Sequence, residues 1–328
     1  MMMNPVQAPR DGDASTTTRA LTGVGQWLQS QGYAFVTVTP ATHAAVLCNR
    51  TTAANSLRDV FGWSIPFATD LLPANIVTIL RSADLLEAHP SGLLRSAVRF
   101  STLGDLIFPH SSFPTTQSES VFFGPDTYRF AALIQRELRT QPLAPGSHLL
   151  DMGCGTGAGG LVAATYAGSA DAHLVLSDIS ATALEFAQAS VAMAGAKHVH
   201  LRQADLFSGL DGGFDFIVAN PPYLNDGAQR LYRHGGGQWG EALSIRILRE
   251  GFPRMAPGGR LVLYTGSAIV QGVDPLGEAL QADLARYGCE WVYEELDPDV
   301  FGEELQSPAY ADVDRIAAVS LVVRKPLS

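Results

Sequence analysis

Cysteine is scarce: the three present, Cys48, Cys154 and Cys289, are far apart and form no Cys-x-x-Cys pair. That excludes a disulfide framework and a thiolate zinc site. The eight histidines lack ligand spacing as well; His198 and His200 alternate along a candidate strand, and no metal is expected. Long apolar runs are also missing, none approaching the roughly 20 residues of a membrane span, so no membrane partner is expected. Met1 to Thr18 has neither the basic n-region nor the apolar h-region of a secretory signal and reads as a disordered tail, with the cytoplasm as the expected compartment. Basic charge is in deficit. A net charge of −10 argues against a broad electrostatic footprint on nucleic acid while leaving room for a local basic patch.

What is present is an ordinary globular composition, 46% hydrophobic and 16% charged over 328 residues. That length suits two domains of roughly 120 and 200 residues. From Leu149 onward, apolar strand-like runs alternate with helical periods, the pattern of a parallel sheet covered by helices on both faces. The expected strands are His148 to Met152, Leu174 to Ser177, Val199 to Gln203, Phe214 to Ala219, Arg260 to Tyr264, Trp291 to Leu296 and Ile316 to Val323. Helices are expected at Ala158 to Tyr166, Ala181 to Met193, Glu241 to Met255 and Pro275 to Tyr287. The last two strands, joined without a full helix, suit an antiparallel hairpin closing a Rossmann-like seven-stranded sheet, with the acidic linker Pro298 to Arg315 over the sheet edge. Upstream, helices at Arg19 to Gly32, Asn55 to Phe61, Asn75 to Ala88 and Ser91 to Arg99, and a short strand at Ala34 to Thr39, predict a smaller, mainly helical domain over residues 19–112. The remainder, 113–328, forms the larger domain.

Two motifs carry chemistry. Asp151-Met152-Gly153-Cys154-Gly155-Thr156-Gly157 follows a strand and opens a helix, where glycine lets a ligand approach the backbone and tolerates a tight turn. Asp178, at the end of the next strand, is placed to accept hydrogen bonds from ribose hydroxyls, with Ile179 beside it. Alone, the loop fits S-adenosylmethionine or NAD, because Gly153-x-Gly155-x-x-Ala158 also matches the dinucleotide fingerprint, with Asp178 about 20 residues on. Asp151 favours the first: a carboxylate suits its cationic amino group and repels pyrophosphate. Asp205 and Leu206, after the third strand, can reach an adenine amino group. Cys154 occupies a position that needs a small residue and has no adjacent base to make it a nucleophile.

The second motif is Asn220-Pro221-Pro222-Tyr223, ending the fourth strand. A planar amide or ring nitrogen is a poor nucleophile because its lone pair is delocalised. The Asn220 side-chain oxygen and the Pro221 carbonyl can each accept one N–H and aim that lone pair at a methyl donor. Pro222 stiffens the turn and Tyr223 offers a ring face for stacking. Arg230, Arg233 and His234 beyond it read first as a solvated face, with phosphates or an acidic protein loop as the alternatives, and Tyr232 and Trp239 as base-stacking or core residues.

On these residues the segment 119–325 resembles class I S-adenosylmethionine-dependent methyltransferases, and among them the HemK/PrmC group that methylates a glutamine side chain in release factors. Asp151 to Gly157, Asp178, Asn220 to Tyr223 and Gly236-Gly237-x-x-Gly240 carry the likeness. Phe123-Gly124-Pro125-Asp126-Thr127 is similar to the segment those enzymes place upstream of the loop, which puts Phe123, Asp126, Thr127 and Tyr128 with Tyr223 at the substrate. Gly124 and Tyr128 depart from that group's arginine and glutamate, and residues 19–112 carry none of its signatures. The resemblance implies N-methylation of a protein glutamine. Adenine-N6 and guanine-N2 enzymes share the Asn-Pro-Pro-Tyr type of motif, so a nucleic-acid base and a small molecule stay open as acceptors, as does a non-catalytic binding module. Residues 19–112 are expected to select the substrate and to be separable from a folded remainder starting near Pro114.

Overall fold

The computed structural model describes residues 14–50, 53–168 and 171–327. Seven strands form one sheet: β5 (His148–Met152), β6 (His173–Asp178), β7 (Val199–Gln203), β8 (Phe214–Ala219), β9 (Met255–Val270), β10 (Glu290–Asp297) and β11 (Val313–Arg324), in the order β10-β11-β9-β8-β5-β6-β7. β5 pairs parallel with both β6 and β8, while β11 runs antiparallel between β9 and β10. The chain steps outward from β5 to β7, then returns to the far side of β5 with β8. That reversal opens a crevice at the carboxyl ends of β5 and β8, where open α/β sheets bind ligands.

Strand residues alternate between two apolar layers because both faces are covered. Leu149, Phe216, Val218 and Val262 pack against α5 (Pro125–Thr140) and α6 (Ala158–Tyr166). Leu150, Ile217, Ala219 and Leu261 pack against α8 (Ala242–Gly251) and α9 (Pro275–Tyr287). α8 is shorter than the expected helix to Met255: Pro253 falls in a 3-10 turn, Phe252–Arg254, and Met255 already opens β9.

The N-terminal part holds α1 (Thr16–Ser30), α2 (Pro40–Cys48), α3 (Leu57–Phe61), α4 (Ala74–Ser82) and two hairpins, β1 (Leu86–Ala88) with β2 (Leu94–Ser96) and β3 (Val98–Leu103) with β4 (Leu106–Ser111). Helix dominates, but Ser91 to Arg99 is hairpin and not helix. Pro90-Ser91-Gly92 is a turn, with Gly92 at φ 82°, and turn chemistry outweighs the helical spacing of the leucines. Asn75 to Ala88 divides likewise: α4 ends at Ser82, Asp84 turns through φ 54°, and the remainder becomes β1. The sequence reading lacks α2, although Thr39 caps it and Pro40 opens it. Ala34 to Thr39 is extended without strand status, held by Thr102 N–H donating to the Phe35 carbonyl at 2.8 Å. His198 turns at φ 55° ahead of β7 rather than alternating with His200 along it. Of the expected tail, residues 1–13 lie outside the described residues, and Thr16 to Thr18 form the first turn of α1 under a Ser15 cap.

The boundary at 112 divides the chain but not the core. α7 (Ala181–Ala194) turns Ala187 toward the sheet, yet its Ala183, Phe186, Ala189 and Met193 belong to the cluster built from Leu21, Phe61 and Phe100. Phe108 of β4 conversely stacks on Phe123 in the sheet-side core, with ring centroids 5.5 Å apart. A chain starting near Pro114 would therefore present a bare apolar face on α7, against the separability expected above.

Calorimetry of the whole chain should show one cooperative transition. Phe186→Ala, at a site 6% exposed, should destabilise that single unit by about 3–5 kcal/mol. Two resolved transitions, only one of them shifted, would contradict the shared core.

Candidate active site

After β5 the chain enters the glycine loop. Gly153 and Gly155 have φ of 69° and 53°, and a Cβ on either would meet no atom within 4 Å. The loop is fixed from β6. Gly153 and Cys154 N–H both donate to the Ser177 carbonyl at 2.9 Å, and Gly155 N–H donates to Asp178 Oδ2 at 2.9 Å. Ser180 N–H donates to the other Asp178 oxygen at 2.9 Å. Gly157, the N-cap of α6, has no side chain to offer the helix. Asp151 fills that role from the strand, accepting Gly160 N–H at 2.7 Å. Asp151 is 1% exposed, and burial pushes its carboxyl up to about 7, with the Asp178 charge adding to the rise and the Gly160 bond opposing it.

A cavity of about 480 Å³ opens at the crevice, within the usual range for small-molecule sites. Asp151, Gly153, Cys154, Gly155, Asp178 and Ile179 line it from β5 and β6, Asp205 and Leu206 from beyond β7, and Asn220 to Tyr223 from β8. Gly157 lies outside, packed toward Leu176 and Ala187. Asp205 is exposed at the rim beside Arg246, 3.6 Å away. Burial raises the Cys154 thiol well above its ordinary value, which leaves it un-ionised. Three lining residues other than glycine, Leu206, Gln229 and Phe301, have φ of 45°, 51° and 54°. Left-handed backbone at such residues costs energy and gathers at functional sites.

Asn220 is half-buried at the end of β8, and its carboxamide makes no hydrogen bond among the described residues. A polar group held unpaired in a ligand-sized cavity is available to a ligand.

The methyltransferase small domain family model matches residues 124–267. The release factor glutamine methyltransferase of Koribacter versatilis is 31% identical over 184 residues, covering 52% of this chain and 60% of that protein. That of Deinococcus radiodurans is 29% identical over 201 residues, 58% of this chain and 66% of the relative. Ribosomal RNA small subunit methyltransferase C of Sodalis glossinidius is 42% identical over 82 residues, 25% of this chain and 22% of that enzyme. The chain thus spans less than two thirds of the length of these curated relatives. Strand order and family match agree. Residues 124–267 are similar to that family, and the seven-stranded sheet has the class I methyltransferase fold.

Asp126 lines the cavity, and its carboxylate is also a hub for the side chains around it. It is 4% exposed and accepts the Tyr223 hydroxyl at 2.7 Å, the Tyr264 hydroxyl at 2.7 Å and Arg129 at 3.2 Å; Arg129 in turn reaches Asp297 at 2.7 Å. Tyr223 is correspondingly not an open stacking platform. Its ring is 7% exposed, lies against Gly266 where a Cβ would sit 2.2 Å away, and meets Phe301 edge-on. Burial, reinforced by Asp126, holds its hydroxyl protonated. Phe123 and Tyr128, by contrast, lie outside the cavity: Phe123 is 1% exposed between Phe108 and His110, and the Tyr128 hydroxyl accepts Thr37 N–H. Thr127 lines the cavity and accepts Gly124 N–H at the start of α5. Phe122 and Tyr232 line the cavity and stack near-parallel, with ring centroids 6.3 Å apart.

The segment after Tyr223 folds back over the site instead of forming a solvated face. Arg230 pairs with Asp226, and Arg233 with Glu304 of the 298–315 linker. Tyr310 from the same linker accepts Asn225 N–H at 2.7 Å. Gly240 permits the return, because a Cβ there would lie 2.2 Å from the Tyr223 carbonyl.

Tyr223→Phe should lower stability by about 1.5–3 kcal/mol, the range for a buried hydrogen bond to a charged group, because Asp126 loses one of its donors. Denaturant unfolding measures it. An unchanged midpoint and slope would mean that Asp126 does not bind Tyr223 to the rest of the domain.

Proposed function

We propose that the chain is an S-adenosylmethionine-dependent N-methyltransferase acting on a planar nitrogen, foremost the side-chain amide of a protein glutamine. The observation that carries the reading is the unpaired Asn220 carboxamide lining the same cavity as the open glycine loop. The residues present fit the cofactor. Each Asp178 oxygen has one backbone N–H and keeps a lone pair for a ribose hydroxyl, and Asp151 keeps an oxygen beyond the one that caps α6. Open space beside Gly153 and Gly155 lets a ligand lie on the backbone. When bound, the cofactor supplies an electrophilic sulfonium methyl. Ile179, Asp205 and Leu206 would border its adenine.

Asn220 Oδ1 and the Pro221 carbonyl would accept the two N–H groups of the acceptor. As the nitrogen gains positive charge in transfer, those oxygens stabilise it, and they deny the lone pair its conjugation by fixing the nitrogen's orientation. Pro221 and Pro222 keep that pair of acceptors rigid. Tyr223 positions the motif through Asp126. Residues 113–328 would carry the chemistry, with residues 19–112 contributing substrate selection as a packed layer.

A release factor is the partner suggested by the relatives' names. A nucleic-acid base is the second reading, suggested by the ribosomal RNA enzyme, but Arg233 at the cavity and Arg230 beyond it are already paired with Glu304 and Asp226. Labelled methyl transfer into the protein, RNA and small-molecule fractions of an extract separates these acceptors; label should enter protein.

Calorimetry should detect S-adenosylmethionine and not NAD, and Asp178→Ala should weaken the former by about 10-fold or more. Asn220→Ala should retain cofactor binding and lose about 100-fold or more in turnover. A mutant with near-normal turnover would place the transfer site elsewhere.

Asp151 predicts a pH dependence. With its carboxyl near 7 it is ionised above neutrality and protonated below, so a cationic amino group loses its partner as the pH falls. Cofactor affinity should weaken from pH 7.5 to 5.5 by up to about 10-fold per pH unit, the slope of a single linked proton. Because the folded value is raised, the same group makes the ligand-free protein less stable as pH rises through 7. Asp151→Asn should abolish the affinity slope; a slope that survives the mutation assigns it to another group.

A further inference from the structure

Arg99 of β3 is 4% exposed yet has no acidic partner among the described residues. Its Nε donates to the Ser111 carbonyl at 3.0 Å, and Nη1 lies 3.5 Å from His43 Nδ1. His43 Nε2 is 3.0 Å from the Trp63 carbonyl, which can only accept, so the ring proton is on Nε2 and Nδ1 presents a lone pair to Arg99. His43 is also neutral: burial, then the Arg99 charge, lowers it to about 4. An uncompensated buried charge is costly, and structural buried arginines show how the cost is met. Arg260, 2% exposed, donates to the Glu137 and Gln141 carbonyls at the end of α5, where the helix dipole favours a cation. Arg99 meets one backbone carbonyl and no helix end, so its charge is compensated less.

It lines a second cavity, of about 340 Å³, whose walls include His43, Phe113, Phe122, Tyr232 and Arg233. Phe122, Tyr232 and Arg233 line the methyl-transfer cavity as well. We propose that this second cavity is an acceptor subsite in which Arg99 binds a carboxylate carried by the molecule whose nitrogen is methylated. A guanidinium presents parallel N–H groups that match a carboxylate's two oxygens, and the aromatic walls exclude competing water. Surroundings favour a single negative charge over a phosphate. Glu303 also lines the cavity and would repel a dianion, while Arg230 and Arg233 are neutralised by Asp226 and Glu304. A nucleic-acid backbone needs several free cations in a row, which this wall lacks. The inference rests on the N-methyltransferase reading for its acceptor, but occupancy of Arg99 requires no cofactor.

The test titrates the full chain with benzoate, benzamide and phenyl phosphate by ligand-observed NMR, beside a separate calorimetric titration with S-adenosylhomocysteine. Benzoate should bind about 10-fold or more tightly than its neutral isostere benzamide, and Arg99→Met should abolish that preference. Equal binding of benzoate and benzamide, or a preference that survives Arg99→Met, overturns the subsite. Tighter binding of phenyl phosphate than of benzoate overturns the carboxylate assignment. Should Arg99→Met fail to fold, the wild-type benzoate to benzamide ratio still decides, and Arg99→Lys, which keeps the charge without the fork, should reduce it. S-adenosylhomocysteine that does not bind would sink the methyltransferase reading while leaving the anion result intact.

Discussion

The Asp126 carboxylate is the constraint on which the geometry of the site depends. It stands in the first turn of α5, where the helix dipole favours an anion, and two tyrosines from different segments point at it. Tyr223 follows β8 and Tyr264 lies within β9, so one carboxylate fixes the spacing between the Asn220 turn and the neighbouring strand. Proline alone could not do this. It stiffens φ within the turn but does not say where the turn sits against the sheet. With both hydroxyls buried, any displacement of α5 leaves donors without an acceptor, and the penalty for an unmade bond exceeds the gain from making one.

The rest of the site is built around the reversal of strand order. Because β5 and β8 are neighbours and parallel, the glycine loop and the Asn220 turn leave the sheet side by side at the same end. One loop offers bare backbone, the other an unpaired carboxamide. The 298–315 linker then closes the side that the sheet leaves open, through Phe301, Glu304 and Tyr310. Left-handed φ at Leu206, Gln229 and Phe301 marks the places where packing forces the backbone to follow the cavity.

What was legible in the sequence is what is local. The loop from Asp151 to Gly157, the strand ending before Asn220 and the succession of strands and helices along the chain rest on spacings within a few residues and on the apolar runs that a sheet covered on both faces imposes. Partners distant in sequence were not legible. Nothing local says that Asp126 and Tyr223, which both line the cavity, also bind each other, and spacing cannot pair Arg233 with Glu304. Ser91 to Arg99 failed for another reason: leucine spacing and the Pro90-Ser91-Gly92 turn conflict there, and the turn prevails because proline and glycine restrict backbone more strongly than apolar periodicity rewards it.

α7 carried a signal that was present but unused. Ala183, Phe186, Ala187, Ala189 and Met193 are apolar around most of the helix, which a helix with one solvated face does not require. Such a helix is covered on two sides, by the sheet and by a further layer. The consequence reaches the site, since Asp178 and Ile179 lead directly into α7, Ser180 caps it, and Ala183 both lines the cofactor cavity and joins the N-terminal core. The cofactor wall and the N-terminal layer therefore share one rigid helix. Packing at native density transmits displacement rather than absorbing it, so the layer that holds Arg99 cannot shift against α7 without moving the wall behind Asp178.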